Sequence, residues 1–379
     1  MFKKVFYALV IALVIFIGVG LFLPQQVHVQ RSIVIQRPPA TVFTVLNSYR
    51  SFAAWSPWAD RDPAAVYEFS GPEAGPGARL SWSGDPRLVG SGWQEITESR
   101  PYSLVRMRLN FAQQGSARSY FQLDPADGGT RVTWGFDTDL EEGQGWLAGL
   151  LARYFGLFFD AWIGTDYEQG LARLKDYLEA LPPADFSALD VAIVDAAAVD
   201  ILYVDSDADL DSPDLTSSLA AAYREITAYM AERGITRAAQ PMAITRVREA
   251  GGYEVEAAIP VVLPEPGPAA EPAAPEAGGD GDAAQAADTA AAEPAAAAAG
   301  SPAPSRVRIG QSPSGQAVRA VHRGPYDRMG PTYEQLAAWM AAHGVAEGDV
   351  SWEQYISDPG ETPPDELVTH IYFQIADDG

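Results

Sequence analysis

The pattern of apolar and polar positions changes period several times along this chain, and each change predicts a different element. Val5 to Leu23, "VFYALVIALVIFIGVGLFL", is an uncharged and almost wholly apolar run. At about 1.5 Å per residue it spans about 30 Å, the thickness of a bilayer's hydrocarbon core, so it predicts a membrane-crossing helix. Alternation follows in "VHVQRSIVIQRPP", which predicts a strand. "PPATVFTVLNSYRSFAAW" then has proline at its start and apolar residues at helical spacing, so it predicts a helix. Four β-like segments come next, separated by turn residues: "AVYEFSGPEAGPGARLSWSG", "GSGWQEITESRP", "YSLVRMRLNFA" and "RSYFQLDPADGGTRVTWGFDTDL". Within the last, "DPADGG" between two alternating runs predicts a hairpin. Residues 145–181 return to a helical period and predict one long amphipathic helix.

After "LPPADFSALD" the pattern repeats itself. "AYREITAYMAERGI" (222–235) aligns without gaps to "TYEQLAAWMAAHGV" (332–345), matching Tyr223 to Tyr333, Met230 to Met340 and Gly234 to Gly344. Each copy is an amphipathic helix closed by a glycine, preceded by an alternating strand and followed by further strands. Two strand–helix–strand–strand copies predict a pseudo-twofold domain whose halves meet at a central cleft. Between them, residues 264–305 contain no lysine, arginine or aromatic and are mostly Ala, Pro, Gly and acidic residues. Such a stretch cannot bury enough apolar surface to offset its ordering entropy, so it reads as a disordered insertion. The whole chain is read as α+β. Its parts are a 1–24 transmembrane anchor, a 25–181 domain, a 182–188 linker and a 189–379 domain that carries the insertion.

Composition narrows the function. The chain has 379 residues with 26 basic and 50 acidic side chains, a net charge of −24. Residues 182–379 hold 10 of the basic and 32 of the acidic residues. A chain this acidic is repelled by phosphate backbones, and it shows no basic stripe, so nucleic acid is not an expected partner. Cysteine is absent, which excludes disulfides, thiolate nucleophiles and thiolate-bound metals. The four histidines show no metal-ligand spacing, and neither a metal nor any other cofactor is expected. Lys3 and Lys4 precede the apolar run, so the positive-inside rule keeps the N-terminus cytoplasmic. The soluble parts are then expected on the outer side of the membrane. The alternative reading of the run is a cleaved signal peptide, although "GVGLFLPQQ" offers no clear cleavage site.

The order of elements over residues 27–181, with the "PPATVFTVLNSYRSFAAWSPW" start, resembles the START-like, polyketide-cyclase superfamily with its helix-grip fold. That resemblance implies a cavity between sheet and helix, usually for an apolar ligand. Trp55, Trp58, Trp82, Trp93 and Trp134 are the candidates to line it, and filling the core is their plainer role.

The chemistry-bearing motif lies near the C-terminus, in "SWEQYISDP". Read as a strand, it puts Glu353 and Tyr355 on one face and Trp352, Gln354 and Ile356 on the other. The repeat aligns Ala243 with Glu353 and Thr245 with Tyr355, so only one copy carries the acid. "HRGPYDRMGPTYEQLAAWMAAHG" followed by "SWEQYISDPGETPPDELVTHIYFQI" resembles the DNA-gyrase-inhibitor-like, AraC-type effector-binding domain, over 189–376 apart from the insertion. The resemblance implies that Glu353 sits among aromatics in a central pocket and recognises a cationic or amphipathic ligand. Tyr326, Tyr355 and Tyr372 are then the matching aromatics, with Tyr203 as their partner from the first copy. A carboxylate in an apolar pocket costs desolvation unless something positive arrives, and aromatic faces add cation–π attraction. No helix-turn-helix pattern precedes the domain, so a transcription factor is not expected.

The function expected from the sequence is thus a membrane-anchored small-molecule-binding protein. One alternative is a hydrolase with Glu353 as general base, assisted by Tyr355 or Tyr326. Against it stands the lack of a second acid, a His–Ser pair or a metal set. Another alternative is an envelope scaffold that meets a protein partner through the acidic loop.

Overall fold

The computed structural model describes residues 2–112, 115–141, 145–206, 212–248, 252–263 and 305–376. The acidic insertion lies outside the described residues except for Ser305. The chain divides into two compact units, one made of residues 1–192, 324–347 and 378–379, the other of 193–323 and 348–377.

The first unit opens with α1 (Phe2–Phe22), a helix long and apolar enough to cross a membrane, as an anchor or a signal sequence would be. Then come β1 (Gln26–Ile35), α2 (Pro39–Leu46) and two short helices, α3 (Phe52–Trp55) and α4 (Pro57–Arg61). Six strands follow: β2 (Val66–Ser70), β3 (Arg79–Ser83), β4 (Ser91–Arg100), β5 (Leu104–Asn110), β6 (Ser116–Ala126) and β7 (Gly129–Asp139). With β1 they form an antiparallel sheet in the order β1-β7-β6-β5-β4-β3-β2. The "DPADGG" hairpin is there: Ala126 pairs with Gly129 around Asp127 and Gly128, and Gly128 takes a φ of 75°.

The expected single helix over 145–181 is two helices, α5 (Trp146–Gly156) and α6 (Phe159–Ala180), bent by 55°. The two bury different faces against different neighbours, which one straight helix could not do. α6 lays Tyr167, Leu171, Leu174 and Leu178 on the sheet at three- and four-residue spacing. At Gly170 a Cβ would stand 2.7 Å from the Trp134 ring, so the missing side chain lets the helix approach. The predicted helix over 38–55 is likewise broken: α2 ends at Leu46, and Phe52 starts α3. Leu174 has no exposed surface and sits mid-interface. Leu174→Ala is expected to cost about 2–5 kcal/mol of first-unit stability, read as a lower urea midpoint at unchanged slope.

The second unit begins within β8 (Val191–Ala196) and continues with β9 (Asp200–Asp205), α7 (Leu215–Arg233), the two-residue β10 (Thr236–Arg237), β11 (Met242–Val247) and β12 (Tyr253–Val262). After the insertion come β13 (Arg308–Gln311), β14 (Gly315–Arg323), α8 (Gly330–His343), β15 (Glu347–Tyr355) and β16 (Val368–Ile375). The predicted repeat is visible in chain order, and both helices end on left-handed glycines, Gly234 at φ 62° and Gly344 at φ 64°. The sheet runs β13-β9-β12-β11-β15-β16-β14-β8, with β10 beside β12. The copies β9-β12-β11 and β15-β16-β14 are mirror-ordered about the β11–β15 seam. The strand leading into each copy is exchanged, β13 lying beside β9 and β8 beside β14.

Helix α8 sorts with the first unit, where Ala338 and Ala342 bury against Ala40 of α2. Phe186, within the segment read as a linker, joins that cluster and is buried, so this segment is tied down. Beside it His343 stacks on Trp339 at 3.8 Å, with Nδ1 2.7 Å from the Trp339 carbonyl. Burial holds the imidazole below its ordinary value of 6.5. A depressed histidine favours the neutral form in the fold, so its contribution is complete above 6.5 and is lost as pH falls through the lowered value. Thermal melts between about pH 7.5 and 5 are expected to show the wild type losing Tm relative to His343→Phe.

Candidate functional site

Two places combine concavity or paired polar groups with chemistry. One is in the first unit, between the sheet and α6. Paired positions on β3, β4 and β5 share a face, so Leu80, Gln94 and Leu109 point the same way, and Trp82 follows Leu80 by two. Between that face and α6 lies a partly open, apolar cavity of about 180 Å³, walled by Phe52, Trp58, Trp82, Phe111, Ile163 and Tyr167. Asp166 stands at its wall, where it accepts from Trp58 Nε1 at 3.2 Å and from Arg61 at 2.5 Å. The carboxylate is therefore paired inside the protein.

A smaller void of about 20 Å³ shares Gln94, Phe52, Trp58 and Tyr167 with this cavity and is also lined by Tyr49 and Trp55. The Tyr49 hydroxyl and Trp55 Nε1 are both buried and have no protein partner. A buried donor without an acceptor costs roughly 1–3 kcal/mol. Burial, aided by the charge of Glu95, pushes the Tyr49 phenol far up, which keeps it a neutral donor. Tyr167 is likewise pushed up by burial; its hydroxyl is 3.3 Å from Ser119 Oγ, which also accepts from Trp134 Nε1 at 3.0 Å.

The candidate tryptophans divide. Trp82 lines the larger cavity, and so does Trp58. Trp55 and Trp134 are core residues, at 3% and 4% exposure, and touch only the smaller void. Trp93 is on the opposite face of the sheet, with the Arg79 guanidinium 4.0 Å from its ring centre. Sequence reasoning missed Gln94, Tyr49 and Tyr167. The spacing of Ile163, Tyr167 and Leu171 carried a signal, but only the packed sheet shows which part of that stripe faces open space.

The second place is the β11–β15 seam. Ala243 pairs directly with Glu353, and these are the two positions the repeat alignment equates. The pair therefore sits on the pseudo-twofold axis, each residue being the other's symmetry mate. Two glutamates there would oppose like charges across the strands, whereas alanine against glutamate leaves one carboxylate on the axis. The Tyr355 hydroxyl donates to Glu353 Oε2 at 2.8 Å, and both side chains are half-buried. Their face of the sheet is the one that α7 covers further along, through Leu202, Val204, Ala257 and Ile259. Tyr223 of α7 donates to the Met242 carbonyl at 2.8 Å.

Tyr203 and Tyr372 do not share that face. Tyr203 pairs with Ala258, Ala258 with Met242 and Met242 with Gln354, so Tyr203 is on the Gln354 side. Tyr372 stacks on Trp352 at 4.8 Å and belongs to the same opposite face. Tyr326 opens a short 3-10 turn in the segment that sorts with the first unit. Within the second unit Tyr355 reaches Glu353, whereas Tyr203 and Tyr372 lie on the other face. Among the described residues no group of three or more His, Asp or Glu side chains is placed to hold a metal ion.

Comparison with known proteins adds to this geometry. A search of the curated proteins returns no match. Similar solved structures include a hydrolase from Listeria innocua (14% identity, 49% of this chain and 91% of that one, TM-score 0.30). The EcmrR C-terminal domain is similar at 15% identity, 50% and 98% coverage and a TM-score of 0.34. The Aha1 dimer from Colwellia psychrerythraea is similar at 18% identity, 40% and 96% coverage and a TM-score of 0.29. Likeness at this level decides nothing about chemistry. Two family models match, in chain order: residues 26–179 match the polyketide cyclase / dehydrase and lipid transport family, and residues 274–376 match the GyrI-like small molecule binding domain.

Proposed function

We propose that this chain is a membrane-anchored binding protein for small amphipathic molecules, with one site in each domain type. The observation that carries the reading is the largely apolar cavity between sheet and α6, in a domain that matches a family described by lipid transport. Its walls favour an apolar body. The unpartnered Tyr49 O–H and Trp55 N–H, beside Gln94, favour a ligand whose buried end carries a neutral oxygen, such as a carbonyl. A carboxylate is disfavoured there, because Glu95 already acts on Tyr49 and no cation joins these donors in lining the void.

For the C-terminal domain, the single carboxylate on the pseudo-dyad with Tyr355 beside it supports a cationic guest. The hydrolase alternative has less support, since both families are described by binding, transport or cyclase and dehydrase work rather than hydrolysis. The scaffold alternative rests on the acidic loop, which lies outside the described residues.

Anchoring by an uncleaved α1, N-terminus inward, is supported by the two lysines before the apolar run and by the contacts α1 makes. A Cβ at Gly20 would stand 2.7 Å from Leu150, so helix α5 is fitted against α1. The test is titration of the full-length chain in detergent micelles with an apolar ketone probe, read as the tryptophan emission that is lost when Trp58 and Trp82 are replaced by Phe. Saturable quenching supports the reading; a linear, unsaturable response equal to that of free tryptophan overturns it.

A further inference from the structure

We infer that helix α5 and the elbow into α6 are a second membrane-inserting element, lying in the outer interface of the same bilayer that α1 crosses. This rests on the anchor reading above but adds to it, because α5 is neither long enough nor continuous enough to span. It spans residues Trp146–Gly156 and buries only Gly149, Leu150 and Arg153. Around it, Trp146, Leu147, Leu151, Phe155, Phe158 and Trp162 are all exposed, Trp146 at 73% and Phe155 at 59%. That is a contiguous apolar patch with tryptophan at both ends, and tryptophan concentrates at membrane–water interfaces.

What says that lipid covers it is its place on α1. Arg153 donates to the carbonyls of Gly20, Leu21 and Leu23 at 3.0–3.3 Å, at the end of the apolar helix, where the last carbonyls lack the i+4 partner of the helix interior. Its guanidinium also pairs with Glu141 at 2.7 Å, so neither charge enters the lipid alone. One residue on, the Tyr154 ring stacks on Phe16 at 4.3 Å and its hydroxyl donates to the Phe16 carbonyl. Phe16 is seven residues before Leu23, so Tyr154 lies roughly 10 Å down the helix from its end. If α1 spans, α5 is held at the depth where an interfacial helix sits, about 5–10 Å into the headgroup and acyl boundary. Asp160, the acid in this stretch, is turned to Arg31. Ile163, which lines the cavity, lies on α6 one turn beyond the elbow.

The chain has no cysteine, so single labels are clean. Full-length variants Trp146→Cys, Leu151→Cys and Phe158→Cys, with Ile15→Cys as anchor control and Arg87→Cys as exposed control, are labelled with a polarity-sensitive fluorophore. They are then reconstituted in phosphatidylcholine–phosphatidylglycerol vesicles carrying spin-labelled lipid. The expected result is that all three elbow labels lose more than about half their emission, as Ile15 does and Arg87 does not. Quenching at Ile15 without quenching at the elbow overturns this inference and leaves the anchor standing. Absence of quenching at Ile15 overturns the anchor and the inference together. Cross-linking between elbow cysteines of two chains, with no lipid quenching, means a second copy covers the patch and overturns it too.

Discussion

Glutamine in place of Glu353 is expected to abolish the rise in Tm that a large apolar cation, tetraphenylphosphonium, gives the full-length chain. The substitution keeps size and an acceptor oxygen for the Tyr355 hydroxyl, now 2.8 Å from the carboxylate, while it removes the charge and makes the second oxygen an amide donor. A unit charge about 4 Å away at an effective dielectric near 20 is worth about 4 kcal/mol before desolvation, and an aromatic face adds about 0.5–2 kcal/mol. Ligand at about a hundred times its Kd stabilises by about 2.7 kcal/mol, several degrees in Tm for a domain of this size. Tyr355→Phe is expected to weaken the response without removing it. An equal shift in wild type and Glu353→Gln would show that the carboxylate does not meet the cation, whatever else binds.

Filling the first-unit cavity is expected to have the second large effect. Ile163 is on α6, half-buried, and faces the open volume of about 180 Å³. Ile163→Trp puts an indole where a ligand body would sit, without cutting into the Leu171–Leu174–Leu178 seam that holds α6 down. Affinity for an apolar ketone probe is expected to fall more than about tenfold, about 1.4 kcal/mol, while the Tm stays within a few degrees of wild type. Unchanged affinity in a folded variant would place the probe elsewhere and remove the cavity from the function.

The α+β class, the hairpin at 124–129, an antiparallel sheet closed by a helix, and the repeat with its two glycine caps were all legible from periodicity and turn residues. Those signals are local: a two-residue period, a helical stripe and a glycine at positive φ need no knowledge of what packs on them. The break of the long helix at 157–158 was not legible. Residues on both sides are apolar at helical spacing, and the bend exists because α5 is drawn to Gly20 and Phe16 of α1 while α6 is drawn to the sheet. The alternation in "SWEQYISDP" separated Glu353 from Trp352 correctly. It said nothing of Tyr203 and Tyr372, whose face is fixed by strand register across three neighbours.

By itself the sequence determined an apolar helix, two folded domain types in order, and one acid in a duplicated pair of strands. Tertiary structure alone decided that this acid falls on the symmetry axis opposite Ala243, that Tyr49 and Trp55 bury donors with no partner, and that an apolar elbow is fastened to α1. The reason is physical. Periodicity records which side of an element is apolar, whereas register and packing decide what that side meets, and chemistry depends on the meeting.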